Sequence, residues 1–442
     1  MQKTYCGACR GERGCADCKA VGASVMYTGV TGFVKMRKPD AFASVKTEDC
    51  CEANDGRSSD TLLLAADLGT TTLAFVCANT KGEVLASYGA ENPQRKVAAD
   101  VVGRMDAALH GKRAMLVNEI REALVKGFLF VFRQGCSELR IEGVHEVKEV
   151  RIAIAGNTVM QHLLLDYPLD GLAKAPFTPY SVKEVRGTLE SVFGTANGVS
   201  ELPSVLRQAE FMVFPCVSAF VGGDAVAGAS FVFGNGPVGT KLLIDLGTNG
   251  EILLMNNGRL YGTAAAMGSA FEGGRYAYAA ELFHLLSEAL EADAVEETGL
   301  LREPYFSEGF HGLLQEDIRE FQLAKGALRA GIELLCQYAK VDFSAVEEVF
   351  LAGGIGQFCD KGELFRIGLL PEAFEEKLYF VGNSCIGGML NCLKNKESVI
   401  YCEGEILNLA EQEAFAEVYY RCMNFETAEK SGEAQNRKGR IE

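Results

Sequence analysis

The chain has 442 residues, of which 48% are hydrophobic and 23% charged, and its formal net charge is −16. A chain of this length exceeds the size at which a single core keeps growing, so we expect two or three domains. The acidity argues against nucleic acid as a partner, because that binding depends on basic residues that contact phosphates. Apolar runs are far shorter than a membrane span and no apolar signal region follows Met1, so the sequence predicts a cytoplasmic protein without membrane contact.

Cysteines are concentrated near the N-terminus. Of the fifteen in the chain, the first six are Cys6, Cys9, Cys15, Cys18, Cys50 and Cys51. In a cytoplasmic protein such a cluster indicates metal or cofactor ligation rather than disulfides. Residues 1–19 are poor in large apolar side chains and could not build a core alone, so a bound metal centre would have to supply their folding free energy.

The remaining chain alternates strand and helix patterns. Polar residues 52–60 are typical of a linker. The patterns predict strands at 62–66, 72–78, 84–87, 150–155, 211–215, 242–246 and 346–351, and a hairpin over 252–263 that turns at Asn257-Gly258. They predict helices at about 97–134, 218–233, 277–299, 315–340, 384–393 and 407–422, with a loop-rich stretch at 166–210 and a disordered tail at 426–442.

Two strand ends share one pattern. A buried strand runs into Asp67-Leu68-Gly69-Thr70-Thr71-Thr72, and another runs into Asp245-Leu246-Gly247-Thr248-Asn249. A Gly-Thr turn offers amides and hydroxyls to phosphate oxygens, and the adjacent carboxylate can hold a hydrated Mg²⁺. A third glycine turn, Gly353-Gly354-Ile355-Gly356, follows a later strand and could support a base and ribose. Together the three segments predict a nucleotide site.

On these segments the chain resembles the actin, sugar-kinase and Hsp70 superfamily. The resemblance implies an α/β fold of two duplicated lobes with a nucleotide cleft, here residues 61–240 and 241–425, plus the small N-terminal Cys-rich segment 1–51. It implies Mg²⁺ and catalytic roles for Asp67, Asp245 and Asp224, the last at the start of a small-residue helix where it would orient the attacking water. The resemblance also implies that phosphates or adenosine are bound by Gly69, Thr70, Thr71, Thr72, Gly247, Thr248, Asn249, Gly353 and Gly354.

Five further segments narrow the resemblance to the ATP-dependent reductive activators of corrinoid proteins. They are Asn92-Pro93-Gln94, Gly156-Asn157-Thr158-Val159-Met160-Gln161-His162, Asp245–Glu251, Gly268-Ser269-Ala270-Phe271-Glu272-Gly273 and Gln322-Leu323-Ala324-Lys325-Gly326. Members of that family use ATP hydrolysis and an iron–sulfur centre to deliver a low-potential electron to an inactivated cob(II)alamin cofactor of a methyltransferase system. The resemblance therefore implies a corrinoid protein and an electron donor as partners, with a homodimer as a further option.

The metal centre has two candidate ligand sets. The spacing of Cys9, Cys15 and Cys18 is similar to a [2Fe–2S] ferredoxin loop, with Cys50 or Cys51 as the fourth ligand. Cys6, Cys9, Cys15 and Cys18 also form two Cys-x-x-Cys pairs, which suit a [4Fe–4S] cluster or structural Zn²⁺. The sequence favours an iron–sulfur cluster over zinc and leaves the cluster type open.

Two alternative functions remain at this point. One is a small-molecule kinase of the same superfamily with a zinc-stabilised N-terminal segment. The other is a scaffold protein that senses ATP without hydrolysing it. Phosphate transfer to an added acceptor would distinguish the kinase, and bound ATP without turnover would distinguish the scaffold.

Overall fold

The structure is a computed structural model that describes residues 61–139, 147–195, 197–234, 239–247, 249–268, 279–306, 312–353, 359–396, 399 and 404–425. They form two compact units. The first unit comprises the chain up to Asn235 together with Val381–Gly404. The second comprises Gly236–Phe380 and the chain from Glu405 onward. The predicted Cys-rich segment 1–51, linker 52–60 and tail 426–442 lie outside the described residues.

Twelve strands form two sheets of six within the described residues. The strands are β1 (Thr61–Leu68), β2 (Thr72–Asn79), β3 (Val84–Glu91), β4 (Glu149–Gly156), β5 (Val185–Thr188), β6 (Glu210–Val213), β7 (Thr240–Leu246), β8 (Asn249–Asn256), β9 (Arg259–Ala266), β10 (Glu348–Ala352), β11 (Leu378–Gly382) and β12 (Glu405–Ile406). The strand orders are β3-β2-β1-β4-β6-β5 and β11-β10-β7-β8-β9-β12.

The α-helices of the described residues are α1 (Val101–Ala107), α2 (Arg113–Glu138), α3 (Thr158–Leu165), α4 (Leu189–Phe193), α5 (Ser204–Arg207), α6 (Gly223–Phe233), α7 (Ala279–Glu291), α8 (Gln315–Tyr338), α9 (Lys361–Arg366), α10 (Ser384–Asn395) and α11 (Phe415–Met423). Within these residues no helix combines the length and the apolar character needed to cross a bilayer.

Both sheets are built on the same plan. In each, three antiparallel strands form a meander, and its first strand pairs in parallel with a later strand: β1 with β4, and β7 with β10. A parallel pair needs a long crossover, and helices fill it in both units. The predicted α/β fold with two duplicated halves is confirmed.

The hairpin predicted from Asn257-Gly258 is present. Strands β8 and β9 pair from Asn249 with Ala266 to Asn256 with Arg259, which leaves a two-residue turn. Asn257 and Gly258 have φ of 50° and 78°. Positive φ at both central residues is the requirement of the type I′ turn, whose twist matches that of the flanking strands.

Three helical predictions need correction. The helix predicted at 277–299 ends at Glu291. The region predicted as one helix at 97–134 is interrupted at Ala108–Lys112, where Gly111 adopts φ 93°, and α2 then continues to Glu138. Glycine reaches this left-handed conformation without the Cβ clash that other residues meet. The helix predicted at 407–422 begins only at Phe415, because Glu405–Ile406 pairs with β9 as β12 and Asn408 caps a short 3₁₀ turn.

The sheet of the first unit is covered on both faces. Alternate residues of a strand point to opposite faces, and on β1 both sets are buried. Leu62 and Leu64 face α2, which contributes Phe128 and Phe132 to a core of fully buried residues. Leu63 on the other face packs in a second core that contains residues of α6 and α10. This double burial explains the continuous apolar run of β1 in the sequence.

Helices α6 and α10 cross at very close range in the first unit. A Cβ atom added at Gly388 of α10 would overlap the carbonyl oxygen of Ala227 of α6. Small residues at such a crossing let two helix backbones approach each other. The crossing is relevant to the site, because α6 begins next to Asp224 and α10 begins next to Asn383.

In the second unit, α8 packs on the sheet and holds the last described residues. Gln322 Nε2 donates to the Met423 carbonyl at 3.1 Å, and Lys325 Nζ donates to the Asn424 carbonyl at 2.6 Å. The Lys325 ammonium also lies 4.6 Å from the centre of the Phe425 ring. Lys325 is 1% exposed. Its positive charge lies at the carboxyl end of α11, where it interacts favourably with the negative end of the helix dipole.

Arg151 of β4 forms an ion pair within its own strand and a hydrogen bond to α10. Arg151 donates to both carboxylate oxygens of Glu149 at 2.9 Å, and its Nη1 donates to the Leu393 carbonyl at 2.8 Å. These hydrogen bonds from Arg151 lower the pKa of Glu149 from its ordinary value of 4.5 to about 2. The pair therefore contributes stability above pH 4.5 that is lost as the pH falls toward 2.

Replacing Glu149 by Gln is expected to destabilise the protein at pH 7, and the difference should shrink as the pH falls from 4.5 toward 2. Because the Glu149 side chain is 39% exposed, solvent screening limits the expected loss at pH 7 to about 1 kcal/mol. Calorimetric melting of the wild type and of Glu149→Gln at several pH values measures this loss of stability. The matched control is Glu122→Gln, which removes an exposed carboxylate paired with Lys126; an equal, pH-independent loss in both variants would contradict the prediction.

Candidate functional site

The carboxyl ends of β1 and β4 meet at one edge of the first sheet. Their parallel register places Asp67 beside Ala155 and Leu68 beside Gly156. Asn157 follows β4 and caps α3, its side-chain oxygen accepting from Met160 N at 3.0 Å. In open α/β sheets, ligands bind outside the carboxyl ends of strands, so this edge is the first place to expect a site.

The loop after β1 is tightly folded. A Cβ atom added at Gly69 would overlap the carbonyl oxygen of Thr72, so no larger residue fits there without a shift of the loop. Asn157 Nδ2 donates to Thr70 Oγ1 at 3.0 Å, which ties the loop to the end of β4. The Thr71 carbonyl accepts from Asn92 N at 2.9 Å, and Thr72 already pairs with Glu91 in the sheet.

Asp67 is held by the start of α10. Asn383 Nδ2 donates to Asp67 Oδ2 at 2.7 Å, and the Cys385 thiol also donates to this carboxylate. Asn383 is oriented in turn, because its side-chain oxygen caps α10 by accepting from Ile386 N at 2.8 Å. Desolvation by the surrounding protein raises the pKa of Asp67 to about 6 despite these hydrogen bonds.

Asp224 lies in the first turn of α6, on the same edge. Gly222 precedes the helix, and a Cβ atom there would overlap Asn157 Cα, so the helix start contacts the end of β4. Asp224 Oδ1 accepts from Ala225 N at 2.8 Å. Burial raises the pKa of Asp224, and the negative charge of Asp67 raises it further. The first unit therefore brings two predicted catalytic carboxylates together.

The two carboxylates suit a divalent cation. The negative charge of Asp67 raises the pKa of Asp224, and a cation between them would offset that repulsion. Mg²⁺ prefers a few carboxylate oxygens together with phosphates and water. Asp67 is the residue of this unit that would hold it, directly or through water, and Asp224 beside it could then bind the attacking water. Bound Mg²⁺ would supply positive charge against the phosphates.

The second unit places its own acidic strand end beside a glycine turn. Asp245 of β7 lies opposite Glu251 of β8 in the antiparallel register. Gly247 N donates to the Asn249 carbonyl at 3.0 Å and closes the turn between these strands. Gly353 follows β10 with φ 93°, and a Cβ atom added there would overlap the Leu246 carbonyl and lie 3.1 Å from Asp245 Oδ1. This unit thus brings together Asp245, Gly247, Asn249 and Gly353.

The remaining predicted residues lie outside the described ones. They are Thr248, Gly354, Cys6, Cys9, Cys15, Cys18 and Cys50. Their assignments stay predictions.

Sequence reasoning missed several residues that contact the predicted ones. Asn383 and Cys385 both contact Asp67 although they lie more than three hundred positions away. Arg104 contacts the Thr70 carbonyl. The signal for Arg104 was present: it occupies the buried stripe of the predicted helix, three residues after Val101, where an apolar residue is expected.

His162, the last residue of the Gly156–His162 segment, is buried and hydrogen-bonded through both ring nitrogens. Its Nδ1 lies 2.7 Å from the Thr158 carbonyl, and its Nε2 accepts from Tyr180 N at 3.2 Å. This pattern requires the neutral ring with the proton on Nδ1. Burial lowers the pKa of His162, which agrees with the neutral form.

Two family models match successive parts of the chain. A family model described as the RACo middle region matches residues 62–232, and one described as the C-terminal domain of RACo, the ASKHA domain, matches 239–280 and 309–434. The corrinoid activation enzyme RamQ of Eubacterium limosum is 25% identical over 427 residues, covering 80% of this chain and 69% of RamQ.

A solved structure is similar in fold. A reductive activator for corrinoid, iron-sulfur protein superposes with a TM-score of 0.67 and 21% identity, over 85% of this chain and 67% of that one. At this identity the likeness concerns the fold alone.

Proposed function

We propose that this chain, which matches the family models of the RACo middle region and of the C-terminal RACo domain, is an ATPase that reductively activates a corrinoid protein. The observation that carries the ATPase part is the pairing of Asp67 and Asp224 beside the Gly69–Thr72 loop. A loop with the composition of a phosphate loop, next to two carboxylates of raised pKa, is suited to hydrolysing a phosphoanhydride.

Asp224 is proposed as the general base. A carboxylate is a better proton acceptor when its pKa approaches the working pH, and burial together with Asp67 raises the pKa of Asp224 in that direction. A water oxygen would attack the γ-phosphorus while Asp224 accepts the water proton. The bond to the bridging oxygen would break, and ADP would leave with the electron pair.

The glycine turn of each unit is proposed to bind phosphates. Gly69, Thr70, Thr71 and Thr72 are proposed for one set of phosphate contacts, and Gly247, Thr248 and Asn249 for the other. Gly353 and Gly354 are proposed to support the adenosine, since a glycine turn leaves room for a flat ring. Asp67 in the first unit and Asp245 in the second are each proposed as a carboxylate for Mg²⁺, and Asn383 keeps the Asp67 carboxylate in place.

The corrinoid part of the proposal rests on the family and on the N-terminal cysteines. An iron–sulfur cluster at Cys6, Cys9, Cys15 and Cys18, or at the last three with Cys50, would supply one electron at a time. The acceptor would be the cob(II)alamin of a partner corrinoid protein, which becomes cob(I)alamin. A separate electron donor would then reduce the cluster again.

Protein purified without oxygen is expected to contain iron with a matching amount of acid-labile sulfide, and its visible absorbance should bleach with dithionite. Elemental analysis and the visible and EPR spectra before and after reduction measure this. Stoichiometric zinc without sulfide would contradict electron delivery from this segment and favour the kinase or the ATP-sensing scaffold.

Single substitutions should then identify the ligand set. Loss of the cluster in Cys6→Ser with a normal cluster in a Cys50→Ser, Cys51→Ser double variant would assign the first four cysteines, and the reverse would assign the ferredoxin-like set. Cys392→Ser serves as the control because Cys392 lies on α10, far along the chain from this segment. The full proposal requires ATP-dependent reduction of cob(II)alamin in an added corrinoid protein, and the visible spectrum of the corrinoid measures that reduction.

A further inference from the structure

A guanidinium group is buried directly behind the loop after β1. Arg104 of α1 is 0% exposed. Its Nη2 donates to the Thr70 carbonyl at 2.6 Å, and its Nε donates to the Ala98 carbonyl at 3.1 Å. Its Nη1 lies 3.4 Å from Gln94 Oε1 and 3.2 Å from Met160 Sδ. Every one of these acceptors is neutral.

The positive charge of Arg104 has no ion-pair partner within the described part of the chain; the charge of Asp100 raises the pKa of Arg104, but by less than burial lowers it. No carboxylate there lies within ion-pair distance of it; Asp100, the N-cap of α1, accepts from Gly103 N at 2.8 Å instead. Burial lowers the pKa of Arg104 to about 10, so the side chain is still charged at neutral pH. A buried charge without a paired anion is costly, and such a cost is commonly retained where a ligand offsets it.

The contacts of Arg104 also fix the direction of the loop amides. Asn92 Nδ2 donates to the Gly69 carbonyl at 2.9 Å, and Arg104 donates to the Thr70 carbonyl. In a trans peptide the carbonyl and the following N–H point in opposite directions. The N–H groups of Thr70 and Thr71 therefore point away from Asn92 and Arg104.

The side chains that hold the loop carbonyls are connected to the core of the first unit. Gln94 is 0% exposed, and its Nε2 donates to the Leu116 carbonyl of α2 at 2.9 Å. Gln94 N donates to Asn92 Oδ1 at 3.0 Å, which fixes the amide that holds Gly69. Hydrogen bonds therefore join the Asn92-Pro93-Gln94 segment and Arg104, and together they connect the loop after β1 to α2.

We propose that Arg104 is a positioning residue for nucleotide phosphates: it holds the Thr70 carbonyl so that the following amide faces the phosphates, and its buried charge is balanced by the phosphates when nucleotide binds. The inference rests on the proposed nucleotide site and adds to it the source of positive charge behind the first loop. A merely structural Arg104 would brace α1 against the loop without distinguishing nucleotides by their phosphate content.

The experiment compares ligands that differ in phosphate content. Full-length protein would be titrated calorimetrically with the magnesium complex of a non-hydrolysable ATP analogue and with ADP, and adenosine would be measured by competition. Arg104→Gln removes the charge and keeps a polar side chain, whereas Arg104→Lys keeps the charge. The matched control is Arg151→Gln, which removes another buried guanidinium of the same unit, one paired with Glu149.

In Arg104→Gln, affinity for the ATP analogue is expected to fall about ten- to hundredfold, as for the loss of a charge-assisted interaction. Adenosine affinity should remain within a factor of two to three, about the scatter of such contacts. Arg104→Lys should recover part of the lost affinity for the ATP analogue. Arg151→Gln should lower the melting temperature and leave the affinities for all three ligands unchanged.

Four results would overturn the inference. Native affinity of Arg104→Gln for the ATP analogue would show that the charge is not used, and equal losses for the ATP analogue and adenosine would assign a structural role. Equal losses in the Lys and Gln variants would refute the contribution of the charge. A wild-type protein that binds none of the ligands would overturn the proposed nucleotide site itself, and this inference with it.

Discussion

Asp224→Asn is expected to abolish ATP turnover, lowering its rate by about 10²- to 10⁴-fold, the range for loss of a general base. Nucleotide affinity should stay close to the native value, because Asn has nearly the same shape and its oxygen can still accept from Ala225 N. Steady-state phosphate release and calorimetric titration with the ATP analogue measure the two quantities. Turnover at the native rate would refute the assignment of Asp224 as base.

The same substitution should stabilise the protein when nucleotide and Mg²⁺ are absent. The folded-state pKa of Asp224 is raised by burial and by Asp67, so ionising this carboxyl costs more in the folded than in the unfolded protein. Its contribution to stability is fully present below about pH 4, the unfolded value, and is lost as the pH rises through the raised folded value. Asp224→Asn should therefore melt higher than the wild type at neutral pH and equally at low pH.

Glu122→Gln is the control for this stability effect. It removes one negative charge from the same unit at an exposed pair with Lys126, where the expected change is about 0.5 kcal/mol or less. A lower melting temperature for Asp224→Asn than for Glu122→Gln at neutral pH would show that the buried carboxylate does not destabilise the unliganded protein.

The elements that sequence predicts well are those with local causes. Strand β1 reads as an apolar run because both of its faces are buried, and the β8–β9 turn follows from the positive φ that Asn257 and Gly258 accept. The two Asp-Leu-Gly-Thr segments were found because a glycine turn at a strand end has a recognisable composition. In the structure both segments end a strand that pairs in parallel with a later one.

What sequence could not predict depends on contacts between distant segments. Nothing in the local pattern places Asn383 beside Asp67, because α10 joins the first unit after the chain has built most of the second. The helix predicted at 407–422 begins later, because Glu405–Ile406 pairs with β9 and Leu407 N donates to the Gly262 carbonyl, so contact with a distant strand overrides the local preference. The break at Gly111 was likewise hidden in a segment whose periodicity continues on both sides.

The two carboxylates of the first unit are connected through a single helix crossing. Asp224 lies in the first turn of α6, three positions before Ala227, and Asn383 begins α10 and donates to Asp67. Gly388 of α10 lies against Ala227 of α6 with no space for a side chain. The distance between the helix axes at this crossing therefore determines where both carboxylates are held.

Gly388→Ala is expected to destabilise the protein and impair turnover together. The added methyl group would overlap the Ala227 carbonyl, a backbone atom that cannot rotate away, so the helices must separate. Overpacking of this kind costs about 1–3 kcal/mol, which exceeds the gain of about 1 kcal/mol in helix propensity when the overlap is severe. A displaced Asn383 would release Asp67, and small displacements of a catalytic group reduce rates by up to about 10²-fold.

Gly362→Ala provides the comparison for this prediction. Gly362 lies in the first turn of α9, where an added Cβ would meet only the Asp360 side-chain oxygen at 3.1 Å. The same substitution there should change the melting temperature little and leave ATP turnover unchanged. If Gly388→Ala melts like the wild type, the crossing is not tight in solution. If it melts lower but hydrolyses ATP at the native rate, the position of Asp67 does not depend on α10.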